Sequence, residues 1–386
     1  MRRKDLILFL LIVLSIYGLL NGYLIWRGSQ ALSGLRYGRL LFMLVFLSSM
    51  LAYPVGRILN SRWPSHFNEF LISAGSYHLA LMLYLFLFLL VRDIIRGLVK
   101  ISGASLAGAS WLQVRNPASF MFIAALTLTV IFLGHLNAIN PRLKTIEIKI
   151  DKKRPAGSEL RAVLISDIHL GTINRSNRLE KLVEKINRLN PDIVFLAGDI
   201  VDEGVSLEEE EKMVGLLRQI HIPLGLYACP GNHEYYSGFE KSISYLEKAG
   251  VRVLIDRAEK VDGWLYVIGR MDRTAERAGQ RRLSLEEIIE RDGVDRTWPL
   301  VVLDHQPLNL GEAVRAEVDL QLSGHTHAGQ LFPLNLINKL IYEQYWGYLK
   351  KGKTHIYVSS GSGTWGPAVR TGSRSEIVLL KIVTGD

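Results

Sequence analysis

Hydrophobic and polar positions divide the chain into two unlike halves. Four long runs, 6–26, 40–56, 70–91 and 116–141, contain no Asp, Glu, Lys or Arg. About 20 apolar residues of helix cross a hydrocarbon core of roughly 30 Å. Three runs therefore predict full transmembrane helices and 40–56 a short one, an all-α four-helix region over 1–141. The opening Met1-Arg2-Arg3-Lys4 also fits a secretory leader, but the apolar run is too long, no small-residue cleavage site stands out, and three more runs follow. His78 and His135 fall inside spans, where an ionisable group invites a functional reading. Neither has an acidic neighbour in sequence, which favours neutral, packed imidazoles.

From residue 160 the pattern becomes short apolar runs alternating with amphipathic stretches. Strands are predicted over 160–168, 192–200, 224–228, 251–255, 264–269, 300–303, 320–323, 355–359 and 377–382. Helices are predicted over 179–189, 206–220, 239–249 and 284–291; in the first, apolar residues at 179, 182, 183, 186 and 189 line one face. Strand–helix alternation implies an α/β domain with parallel strands, here over 159–386. Residues 142–158 are expected to be a linker, with the hinge at 152–158, which holds Lys152, Lys153, Arg154, Pro155 and Gly157.

Charge sharpens this division. Residues 1–140 hold 12 Lys/Arg against 3 Asp/Glu, a surplus that equals the whole chain's formal +9, while 141–386 hold 34 of each. The basic excess sits beside apolar runs, so the high isoelectric point is no nucleic-acid footprint. The single cysteine, Cys229, excludes a disulfide scaffold. With the N-terminus inside, the inner flanks carry eight basic residues against seven outside, and Lys152, Lys153 and Arg154 raise the inner count to eleven. The positive-inside rule then puts the C-terminal domain in the cytoplasm.

Metal-capable residues collect at the ends of the predicted strands, where open α/β sheets place their sites. They run Asp167-x-His169, Gly198-Asp199-x-x-Asp202, Gly231-Asn232-His233-Glu234, Asp304-His305 and Gly324-His325-x-His327. Five of the seven histidines in this half lie in these clusters. Each motif is weak alone; five in order, each after a strand, suit a mixed oxygen and nitrogen site for divalent transition metals. Two such ions about 3.5–4 Å apart would share a carboxylate, generate hydroxide near neutral pH and clamp phosphoryl oxygens for in-line displacement.

The same series resembles the calcineurin-like metallophosphoesterases over about 160–386. Gly324–Gln330, Ser359–Ser362 and Gly366–Arg370 are similar to the bacterial membrane-associated branch, which includes UDP-diacylglucosamine hydrolases. The resemblance implies a four-layer sandwich, two mixed sheets between helices. It implies that Asp167, His169 and His327 hold one metal, that Asp199 bridges, and that Asn232, His305 and His325 hold the second; manganese is expected, with iron or zinc as alternatives. His233 would protonate the leaving oxygen or stabilise charge on the phosphoryl group, and Asp202 would orient the His233 imidazole. Asp202 could also be an acid ahead of the 206–220 helix, and Asn232 a turn residue. Glu203 and Gly204 stand where protein phosphatases of the family carry a phosphate-gripping arginine, which argues against a phosphoprotein substrate. Ala328 replaces a frequent glycine at no obvious cost. Asn232 and Arg370 are candidate substrate contacts; Arg370 could equally be a solvated surface residue.

The apolar, aromatic stretch 331–348 follows the last histidines, with Lys350, Lys351 and Lys353 beyond. It suits a membrane interface that admits a lipid tail, although core or cap packing fits as well. The expected function is a bacterial inner-membrane, multi-pass phosphoesterase cleaving a phosphodiester or pyrophosphate in a lipid or envelope precursor. Its expected partners are the bilayer and a phosphorylated lipid or small phosphodiester, with no nucleic acid and no obligate protein partner. The alternatives are a nuclease or cyclic-nucleotide phosphodiesterase, or a scaffold that retains the fold without catalysis.

Overall fold

The computed structural model describes residues 3–103, 109–152, 159–202, 204, 207–277 and 279–384. The chain forms two compact units, Met1–His135 and Leu136–Asp386. Most of the predicted hinge, residues 153–158, lies outside the described residues, as do Glu203 and Ser206.

The first unit contains helices α1 (Arg3–Ala31), α2 (Arg36–Arg62), α3 (His66–Ile101) and most of α4 (Pro117–Ile139). All four are long and apolar enough to cross a membrane. Each exceeds or nearly matches its charge-free run, because helices continue past the hydrocarbon boundary. Ser65 starts α3 by accepting the Asn68 N–H. His78 contacts Asn21 Oδ1 at 2.8 Å and Ser49 Oγ at 2.9 Å, so both ring nitrogens are partnered. His135 Nδ1 lies 2.9 Å from the Tyr77 hydroxyl. Arg27 and Arg92 both pair with Asp93.

The second unit holds two six-stranded mixed sheets. Its strands are β1 (Arg142–Ile150), β2 (Leu160–Ile165), β3 (Ile193–Ala197), β4 (Leu226–Cys229), β5 (Arg252–Val253), β6 (Arg257–Val261), β7 (Leu265–Gly269), β8 (Leu300–Leu303), β9 (Leu320–Ser323), β10 (Gly347–Lys351), β11 (Thr354–Val358) and β12 (Glu376–Thr384). One sheet runs β1-β12-β2-β3-β4-β5 and the other β10-β11-β9-β8-β7-β6. The strands β2 to β5 are mutually parallel, as are β7, β8, β9 and β11. Helices α5 (Ser176–Arg188), α6 (Leu207–Leu217), α7 (Asn232–Tyr236) and α8 (Phe239–Lys248) follow strands of the first sheet. Helices α9 (Thr274–Arg277), α10 (Leu285–Arg291), α11 (Gly311–Arg315) and α12 (Leu334–Ile341) follow strands of the second.

Strand β2 shows why the layers stack. Its Ala162 and Leu164 enter the core between the sheets with Phe195, Val301 and Leu322. Its Val163 and Ile165 face the outer core with Leu182 and Ile186 of α5. A third core packs Ile288 and Ala313 of α10 and α11 on the second sheet. Helices outside both sheets complete the four-layer sandwich, and a strand buried on both faces reads as an unbroken apolar run.

The linker expectation fails over 142–150, which pairs with β12 along nine residues as strand β1. Charges at Arg142, Lys144, Glu147 and Lys149 mask its alternation, which is the usual dress of an edge strand. The polar strands β6 and β10 and the short helix α7 also escape the sequence pattern.

Candidate metal centre

The carboxyl ends of five strands, three in one sheet and two in the other, meet at one rim. Asp167 and His169 follow β2, Asp199 and Asp202 follow β3, Asn232 and His233 follow β4, His305 follows β8, and His325 and His327 follow β9. Asp167, His169, Asp199, His325 and His327 all have φ between 49° and 73°. Left-handed backbone costs a non-glycine residue roughly 1–2 kcal/mol and persists where a site over-determines it. An added Cβ at Gly231 would collide with the Asp199 carboxylate, and one at Gly324 with that of Asp167. The glycines in the motifs therefore give two buried acids room.

Two groups of ligand-capable atoms form, Asp167–His169–His327 and Asp199–His305–His325, with Asp199 also grouped with His169 and His233. His169 Nε2 lies 3.1 Å from His327 Nε2 and 3.8 Å from Asp199 Oδ2. His327 Nε2 is 3.5 Å from Asp167 Oδ1, and His305 Nε2 is 3.1 Å from Asp199 Oδ2. His325 Nδ1 touches Asn232 Oδ1 at 2.8 Å. Among the described residues, Asp167 Oδ2 and His305 Nε2 are buried without a hydrogen-bond partner, although His305 Nε2 stands 3.1 Å from Asp199 Oδ2. Buried polar atoms left so are rare and need an explanation. Converging carboxylates, imidazoles and an amide fit divalent transition metals. His305 donates Nδ1–H to the Ala197 carbonyl at 2.7 Å, which leaves Nε2 as the ring nitrogen free to accept a metal.

Charge within the centre is strongly polarised. Burial pushes the Asp167 carboxyl up. Burial acts the same way on Asp199, but the His305, His169 and His233 imidazoles outweigh it and hold Asp199 well below the carboxylate range. Burial opposes a proton on His305, yet Asp199 and Asp167 raise it; the field that favours a proton there favours a cation equally. Burial, aided by neighbouring positive charge, keeps His325 down at about 3 and His327 far down, in the neutral form that ligation requires. His233 Nδ1 lies 3.2 Å from Asp202 Oδ1. Against the effect of burial, Asp202 and Asp199 raise His233 to about 9.

Arg370 departs from both expectations. It is 0% exposed, so it is neither a solvated residue nor available to a headgroup. Its guanidinium donates to the carbonyls of His327 and Gly363 and stands 3.2 Å from His327 Nδ1. Ala328 also differs: it sits at φ 48° and ψ 33°, where alanine pays a strain that glycine avoids. The stretch 331–348 is part helix α12, none of whose residues is buried, and part strand β10. Core packing therefore does not account for α12.

Glu234 is the positioning residue that sequence reasoning passed over. Fully buried, its carboxylate accepts the backbone N–H groups of Gly231, Ile200, Val201 and Asp199 at 2.7, 2.7, 2.9 and 3.1 Å. It thereby ties the loop after β3 to the loop after β4. The signal was its place directly after His233.

The calcineurin-like phosphoesterase family model matches residues 160–329. An uncharacterized metallophosphoesterase of Aquifex aeolicus is 36% identical over 260 residues, 65% of this chain and 98% of its own length. One from Campylobacter jejuni is 30% identical over 384 residues, 97% of this chain and 98% of its own. A Danio rerio transmembrane protein with metallophosphoesterase domain is 35% identical over 278 residues, 67% of this chain and 62% of that protein. Matched from end to end by one such relative, and carrying four membrane-length helices ahead of the sandwich, the chain belongs to the metallophosphoesterases as a membrane protein with a phosphoester hydrolase domain.

Proposed function

We propose that the protein is a dinuclear-metal phosphoesterase acting on a phosphodiester or pyrophosphate bond of a lipid or envelope precursor. The observation that carries the reading is Asp199, whose carboxylate is grouped with His305 and His325 on one side and with His169 and His233 on the other, the donor atoms of each group lying within 4.8 Å of one another. Asp167, His169, His327 and Asp199 would hold one ion, and Asp199, Asn232, His305 and His325 the other. Two such ions, when bound, supply Lewis acidity to phosphoryl oxygen and acidify the attacking water; manganese suits the donors, and iron or zinc would also fit.

The chain's own groups do the rest. His233 is only partly buried and is held by Asp202 on one ring nitrogen, which leaves the other for the leaving oxygen. Glu234 fixes the Asp199 backbone. Arg370 acts behind the site by setting His327. The exposed apolar helix α12 supports a lipid-linked substrate similar to that of UDP-diacylglucosamine hydrolases. The basic flanks of the spans support a bacterial inner membrane with the domain on the cytoplasmic face.

Purified full-length protein with Mn²⁺ should hydrolyse bis-p-nitrophenyl phosphate, and Asp199→Asn should abolish turnover. Absence of metal-dependent turnover would favour a non-catalytic scaffold.

A further inference from the structure

Beside the metal centre, within the second unit, lies a cavity of ≈470 Å³ whose wall includes Arg142, Lys144, Ala328, Trp346, Arg374 and Glu376. Three cations face one carboxylate. Among the described residues Arg142, Lys144 and Arg374 make no ion pair, and Arg374 Nε is buried without a hydrogen-bond partner. Glu376 is already engaged by neutral donors: it accepts from the Tyr357 hydroxyl at 3.0 Å, the Ser360 N–H at 2.8 Å and Trp346 Nε1 at 3.3 Å. Lys144 Nζ stands 5.0 Å from the Trp346 ring centroid and 5.2 Å from that of Tyr357. The cavity is thus a basic, aromatic-walled space, and Ala328, the residue after His327, forms part of its wall.

Its place along the chain indicates the occupant. Strand β1 starts three residues after α4 ends, a reach of about 10 Å at most. The Ser375 hydroxyl donates to the Ala138 carbonyl at 2.9 Å, and the Asn137 amide to the Arg370 carbonyl at 3.1 Å. Residues 137 and 138, where the second unit begins, are therefore bonded to the segment that forms one cavity wall. Cations and tryptophan at the end of a span meet anionic headgroups. Helix α12, just ahead of Trp346, exposes Leu336, Ile337, Leu340 and Ile341 at 49, 50, 88 and 59%, an apolar surface suited to acyl chains.

We propose that this cavity binds the phosphate headgroup of an anionic phospholipid, with its acyl chains lying along α12. The site is separate from the metal centre and builds on the lipid-directed reading above. It would hold an anionic lipid from the bilayer with its headgroup beside the metals.

The test uses full-length protein in detergent, stripped of metal by chelation, so its failure leaves the hydrolase reading untouched. Calorimetric titration with dihexanoyl phosphatidic acid should show saturable binding. Exchanging Arg142 and Arg374 together for Gln should weaken it by roughly tenfold or more. Arg142→Glu, a change at an exposed side chain, should weaken it too and serves if the double variant melts early. Dihexanoyl phosphatidylcholine and inorganic phosphate should both bind at least about tenfold more weakly. Equal binding of inorganic phosphate would make this a free-phosphate site and overturn the lipid assignment. Equal binding of phosphatidylcholine, no binding at all, or unchanged affinity in both variants would overturn the site itself.

Discussion

The guanidinium of Arg370 stands 3.2 Å from Nδ1 of His327, wholly out of solvent. A cation so placed braces the histidine by donating to its carbonyl at 3.1 Å and to that of Gly363 at 2.8 Å. Arg370→Met should strand those carbonyls and cost about 3 kcal/mol, a drop of roughly 6–12 °C in melting temperature. Manganese affinity should fall about 10–100-fold, as when other groups that support a ligand are lost. Wild-type melting and unchanged manganese affinity would show that Arg370 does not brace His327.

Glu234 gives a second lever. Its two oxygens accept four backbone N–H groups. Glu234→Gln keeps the volume but turns an NH₂ toward N–H donors, which misplaces the Asp199 loop. Calorimetric Mn²⁺ titration should show affinity lower by roughly 10–100-fold. Unchanged affinity would reduce Glu234 to a loop staple without influence on the centre.

The four membrane helices and the strands of the second unit were legible where burial is one-sided or complete. Residues 160–165 read as a strand because both faces are covered, and the runs 6–26 and 70–91 read as spans because charge is absent. The clustering of metal-capable residues was legible because they follow strands that end at a common rim. What escaped was set by tertiary pairing. Strand β1 looks like a linker until β12 lies beside it, and the burial of Arg370 depends on a loop closing over it. Likewise, Ala328 seemed costless because φ cannot be read from the residue name.

Metal removal should be visible as stability. Asp167 Oδ2 and His305 Nε2 are buried and unbonded, so an ion bound only in the folded state relieves them. At free Mn²⁺ about 100 times its dissociation constant, binding adds about 2.7 kcal/mol, roughly 5–10 °C for a domain of this size. Chelator should lower the melting temperature and Mn²⁺ should restore it. Asp199→Asn should abolish most of the shift, and a shift preserved in that variant would place the ion elsewhere.

Ala328→Gly should stabilise the domain. The native φ of 48° is strained for alanine and relaxed for glycine, worth about 1 kcal/mol after the looser unfolded chain is counted. The expected rise is roughly 2–4 °C by differential scanning fluorimetry. A fall would mean that the methyl group packs more favourably than the backbone suffers.

Acid stability offers a test away from the metals. Arg270, 3% exposed, lies 2.9 Å from Glu312 and 3.6 Å from Asp304, which Arg282 also holds at 2.6 Å. Burial would raise the Glu312 carboxyl, but the Leu285 N–H and then Arg270 outweigh it and hold it below the ordinary value of 4.5. A carboxyl depressed in the folded state stabilises fully above the unfolded value, and that contribution disappears as pH falls through the folded one. Glu312→Gln should therefore be less stable than wild type near about pH 7, and the gap should close as pH falls below 4.5 through the depressed folded value. Because Glu312 is half-buried, the gap should be a few tenths to about 1 kcal/mol. Asp304 still neutralises Arg270 in the variant, so folding survives and urea midpoints at several pH values can be compared. A gap that stays constant with pH would show that Glu312 stabilises by packing, without help from its charge.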